Sequence, residues 1–132
     1  MTAVDTEHRQ LCHALFDAIE QGDIEAVDRC YAPGMTLWSN LSGEEMTREE
    51  NLAVLEKGHG LHRRRTYNDR IVSTLDDGFV VQYTVNVVAH NGAKVSLCAC
   101  LVAEVRDGQI TKLFEYLDSG KFSPRAAVGA RS

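Results

Sequence analysis

The sequence predicts an α+β domain in which helices come first and a sheet follows. Three observations carry this. Apolar residues fall at helical spacing near the start, "TREENLAVLEK" opens with a capping-box pattern, and long apolar runs fill the second half. Those runs are separated by Asn91-Gly92 and Asp107-Gly108, both strong hairpin signals.

Each element has its own reason. Over 5–21, Leu11, Leu15, Ala18 and Ile19 form one face of a helix that Gly22 closes. Asp23 caps a second helix running to about Tyr31, which Pro33-Gly34 ends. "MTLWS" is a short strand, and Thr47 with Glu50 starts a third helix to about Lys57, broken by Gly58 and Gly60. Strands are expected over 61–75, 79–90, 93–105 and 109–118, with a turn at Asp76-Asp77-Gly78. A single domain over 1–132 follows, with an ordered core over about 5–122 and a small, polar tail at 123–132 that is mobile at its end.

The bulk chemistry excludes several partners. A net charge of −5 speaks against nucleic acid and anionic membranes, and Arg63-Arg64-Arg65 reads as a solvated strand face. No apolar stretch is long enough to span a bilayer, and "MTAVDTEHRQ" lacks a secretory signal. Cys98 and Cys100, two apart on a strand, sit roughly 6.5–7 Å apart, a poor distance for a disulfide. With Cys12 and Cys30 they read as reduced, buried, small apolar residues, which predicts a cytoplasmic protein. No phosphate-cradling loop, nucleophile elbow or metal-ligand spacing is present, so neither cofactor nor metal is expected.

Register assigns faces. A two-residue Asn91-Gly92 turn pairs His90 with Ala93 and sets Gln82, Thr84 and Asn86 beside Leu97, Ala99 and Leu101. The other face then carries Val81, Tyr83, Val85 and Val87 with Cys98, Cys100 and Val102. Both faces are apolar, so helices cover one and a second copy of the chain is the simplest cover for the other. The mixed face reads as a cavity wall or as polar groups bonded across a packed core. In "KLFEYLDSGKF", Glu115 lies opposite Cys100 if Asp107-Gly108 is a two-residue turn. It lies opposite Ala99, on the cavity face, if Arg106-Asp107-Gly108 is a three-residue loop.

Helices first, then "GDIEAVDRCYAPGMTLWSN", then "DGQITKLFEYLD", resemble the nuclear transport factor 2-like superfamily over roughly 8–122. Within it the chain is most similar to SnoaL-like polyketide cyclases and limonene-epoxide hydrolases. The resemblance implies a curved sheet wrapped around a cone-shaped cavity and a carboxylate on the final strand, so it favours an inward Glu115. Trp38 and Asn40 occupy the hydrolases' water-holding positions, and Thr84 and Asn86 their Arg-x-Asp positions. The departures are chemical: an indole N–H cannot accept a hydrogen bond, and an amide cannot protonate an epoxide.

The expected activity is proton transfer by Glu115 on a hydrophobic carbonyl compound of polyketide or steroid type, with Asn86, Asn40 and Trp38 as donors to an enolate oxygen. Isomerase, cyclase and dehydratase chemistry all fit that set. The alternatives are a non-catalytic binder of hydrophobic ligands and an epoxide hydrolase. Gln82, Thr84, Leu97, Ala99, Leu101 and Phe122 are expected around the ligand, and Tyr31 in cavity or core packing. His59 and His62 read as loop or strand-end residues, His90 as exposed, and Asp69 as paired with a nearby arginine.

Overall fold

The computed structural model describes residues 2–118, so Phe122 and the tail lie outside the described residues. The element order is α1 (Ala3–Gln21), α2 (Ile24–Cys30), β1 (Tyr31–Ser39), β2 (Glu45–Thr47), α3 (Arg48–His59), β3 (Arg64–Leu75), β4 (Gly78–Val88), β5 (Lys94–Arg106) and β6 (Gln109–Leu117). One curved, open six-stranded sheet has the order β2-β1-β6-β5-β4-β3. Its pairings are antiparallel except β1 on β6, which run parallel.

The helix signals hold. Thr47 accepts from the Glu50 N–H while the Glu50 carboxylate accepts from the Thr47 N–H, and Gly22 closes α1 in the left-handed region at φ 71°. Two boundaries move. Tyr31 belongs to a strand rather than to α2, and that strand runs through Pro33-Gly34. Strand β2, of three residues, is too short to leave a periodic signal.

Helix α1 lays Cys12, Leu15, Phe16 and Ala18 onto the concave face of the sheet, where Val81, Tyr83, Val85, Leu97, Ala99, Leu101 and Leu113 are buried. Each large apolar side chain there stabilises the fold by about 1.5–3 kcal/mol. The Phe16 ring packs on Tyr67 and Tyr83, with centroids 5.1 and 4.7 Å away.

The β4–β5 hairpin departs from the expected register, and the β5–β6 hairpin keeps the two-residue alternative only as far as a shift beyond Val105. The β4–β5 loop is His90-Asn91-Gly92, three residues closed by Ala89 and Ala93, with Gly92 left-handed at φ 89°. Tyr83 therefore opposes Ala99 and Val85 opposes Leu97. A slip of one residue exchanges the faces of a strand. Gln82, Thr84 and Asn86 consequently lie on the convex side with Cys98 and Cys100, and Tyr83 lies inside. Cys98 is exposed and Cys100 half-buried, correcting the expectation that all four thiols are buried.

At the second hairpin the turn is Asp107-Gly108, two residues with φ 51° and 75°, and Arg106 pairs with Gln109. A regular continuation would send Glu115 to the convex side. Instead the register shifts between Glu104 and Val105, leaving Thr111 as the extra residue of a β-bulge whose hydroxyl donates to the Glu104 carbonyl at 3.2 Å. Glu115 then opposes Leu101, on the concave face. The acid is inward because of a bulge, not because of a three-residue loop.

Candidate functional site

Ahead of Glu115 is a cavity of about 280 Å³ between α1, α3 and the concave face. Leu15, Phe16, Ile19, Leu37, Leu55 and Leu101 give it apolar walls. Its polar lining comes from Ser39, Asn51, Tyr31, Tyr67, Arg65 and Glu115. This is the composition of a small-molecule site: mostly apolar, with few polar groups converging.

Each polar group is placed by its element. Ser39 and Glu115 sit opposite one another on the parallel pair β1 and β6. The Tyr31 hydroxyl, at the first residue of β1, donates to the Asn51 side-chain oxygen on α3 at 2.7 Å. Arg65 and Tyr67, two apart on β3, point inward opposite Val87 and Val85. The Tyr67 N–H donates to Glu20 at 2.6 Å, tying the strand to α1.

The electrostatics centre on Glu115. Burial raises its pKa above the usual carboxylate value, while the Arg65 guanidinium and the Tyr83 hydroxyl pull it partly back. Burial, then the Glu115 charge, raises Tyr31 and Tyr83, so both remain protonated at neutral pH. Burial also raises Tyr67, opposed by Arg65 beside its hydroxyl. The buried Tyr83 hydroxyl makes no geometrically sound hydrogen bond, although its proximity to Glu115 shifts both groups. Tyr83 does not line the cavity.

Of the residues expected from the sequence, Glu115, Leu101 and Tyr31 line this cavity. Leu97 and Ala99 face the same side but are packed into the core. Gln82, Thr84 and Asn86 face the convex side, because the β4–β5 loop has three residues. Asn86 donates to the Asn68 oxygen at 2.7 Å and accepts from Ser96. Trp38 alternates with Leu37 and Ser39 onto that same convex face, its ring 5.4 Å from Tyr116. Asn40 uses both amide atoms to bridge the ends of β1 and β6, donating to the Leu117 carbonyl at 2.9 Å and accepting its N–H at 2.8 Å. Asp69 is an exposed left-handed residue at a bulge in β3, and the neighbouring Arg70 pairs with Asp17 and Glu20.

Sequence reasoning missed Arg65, Tyr67 and Asn51. Arg65 was hidden in a run that looked uniformly solvated, yet alternation along β3 sends it inward between exposed Arg64 and half-buried Thr66. The phase set by Tyr67 was the available signal. Among the described residues, no group of three His, Cys, Asp or Glu could hold a metal ion.

Comparison with known proteins gives the class and then the family. The structure is similar to a provisionally named polyketide cyclase of Xanthomonas campestris pv. campestris (TM-score 0.81, 22% identity, 94% of this chain and 99% of that one). It is also similar to AclR, a provisionally named hydroxylase of Streptomyces galilaeus (TM-score 0.80, 14% identity, 93% and 82%). A third is a Catenulispora acidiphila protein of ketosteroid isomerase-like fold, solved with trimethylamine (TM-score 0.75, 13% identity, 84% and 87%). These likenesses define the cone-shaped α+β fold of the nuclear transport factor 2-like proteins. The SnoaL-like domain model matches residues 12–113, and the chain belongs to that family. No curated protein matches.

Proposed function

We propose that the chain is a proton-transfer enzyme of isomerase, cyclase or dehydratase type, acting on a small hydrophobic carbonyl compound of polyketide or steroid type. One observation carries the reading: a carboxylate whose proton affinity is raised by burial borders a largely apolar cavity. Glu115 takes a proton from the carbon beside the substrate carbonyl and returns it at a second position. The electron pair moves onto the carbonyl oxygen, where the Arg65 guanidinium and the Tyr67 hydroxyl, both lining the cavity, stabilise the negative charge. Tyr83, whose ring packs on Phe16 and Tyr67, sets its hydroxyl near the carboxylate and lowers its proton affinity.

The epoxide-hydrolase alternative loses its water-holding pair, since Trp38 faces away and the Asn40 amide is consumed by Leu117. A binder that performs no chemistry is the rival. It is separated by incubating the protein with α-tetralone in deuterated water and following exchange at the acidic carbon by mass spectrometry. Glu115→Gln should slow that exchange by about 10²–10⁴-fold. Equal rates in both proteins would leave a ligand-binding role only.

The wider reading keeps a homodimer, formed over the convex face where Trp38, Phe114 and Tyr116 stand beside Cys100 and Val102. It also keeps a cytoplasmic setting, supported by four free cysteines. No helix among the described residues is long and apolar enough to cross a membrane.

A further inference from the structure

A second cleft, of about 320 Å³, adjoins the first and shares Ile19, Leu55 and Arg65 with it. Basic residues dominate its remaining walls: Arg64 at the first residue of β3, His59 from the end of α3, and His62 and Arg63 from the connection between them. In a chain of net charge −5 this is a local reversal of sign. The cleft also contains Glu20, but that carboxylate already accepts from the Tyr67 N–H at 2.6 Å and from Arg70 at 3.3 Å. The ion pairs of the described residues draw on Arg48, Arg70 and Lys112.

Two glycines shape the cleft. A side chain at Gly58 would begin 3.0 Å from the Arg65 guanidinium, and one at Gly22 would begin 2.5 Å from the His59 ring. The His59 ring thus occupies space that only glycine at position 22 leaves free, and the Arg65 guanidinium lies close against Gly58. Arg65 joins the two chambers, one end of the path apolar with an acid, the other basic.

We propose that this cleft binds an anionic oxygen group, carboxylate or phosphate, carried by the same molecule whose carbonyl part occupies the Glu115 cavity. The inference rests on the proton-transfer reading for the role of that cavity. Arg63 and Arg64 supply forked N–H donors suited to planar or tetrahedral oxyanions, and His62 adds a donor when protonated. Burial, and after it Arg65 and His90, holds the His62 pKa below its ordinary value, so the arginines carry the positive charge of the cleft.

Titration calorimetry with three matched ligands tests this: a tetralone bearing a butanoate chain, its methyl ester, and the corresponding phosphate monoester. At low salt the acid or the phosphate should bind about tenfold or more tightly than the ester, and the tighter of the two identifies the group. In the Arg63→Ala/Arg64→Ala double variant, shown folded by its melting curve, that preference should fall below about threefold. Equal affinities for all three ligands in the unaltered protein, or a preference that survives the double substitution, would overturn the proposal. Glu115→Gln should keep the anion preference, so loss of exchange chemistry and loss of anion binding are separately visible.

Discussion

Glu115 makes folding stability depend on pH in an unusual direction. Most carboxylates are held below their ordinary pKa in the folded state and stabilise it as pH rises. Here burial holds the carboxyl above its ordinary 4.5, so the folded form binds the proton more tightly than the unfolded form does. Between those two pKa values the unfolded chain releases its proton first, and stability falls as pH increases. Glu115→Gln removes that slope. Its melting temperature should match the original near pH 4 and exceed it by a few degrees above neutrality. A difference that stays constant across the range would argue for a well-solvated acid. The carboxylate itself was legible in the sequence, as the one acid in an apolar strand. Its partners were not, because alternation within "RRRTY" has two phases and charge alone favours the wrong one for Arg65.

At the scale of elements, the strands were legible from their runs and the helices from their caps. The loops were not legible in length. Asn91-Gly92 is a strong two-residue hairpin signal, yet His90 joins the loop and Gly92 takes the left-handed position instead. The concave side shows why this register wins. It places Tyr83, Val81 and Val85 under α1 and leaves Gln82, Thr84 and Asn86 outside, where Asn68 and Ser96 satisfy Asn86. Packing of one whole strand face outweighs the local preference of a turn. Strand β4 is also fixed by contact at its first residue. A side chain on Gly78 would begin 1.9 Å from the Ala103 carbonyl oxygen on β5, which is backbone and cannot swing aside. Gly78→Ala should therefore cost about 1–3 kcal/mol in urea unfolding. A change under about 0.5 kcal/mol would mean that the two strands separate easily at that end.

For the whole molecule, the helices cover only one side of the sheet. The convex side exposes Ile71 and Tyr116 and half-buries Trp38, Phe114 and Val102, a mixed aromatic and aliphatic surface. Sedimentation of the 14.6 kDa chain should report a particle of twice that mass. Tyr116→Asp, which puts a charge at the centre of that surface, should yield monomers that still melt cooperatively. An unaltered protein that sediments as a monomer at micromolar concentration would remove the dimer from the reading. The fold at this scale was the most legible feature, because it depends on element order and not on register.

The extra residue at Thr111 has one more consequence. It uncouples the count of residues from the turn to the acid from the side on which the acid emerges. Removing Thr111 would straighten the last strand and still leave Leu101 as the neighbour of Glu115. A chain one residue shorter at this point would therefore keep the acid on the same side, whereas simple alternation counted from the hairpin misplaces it in this one.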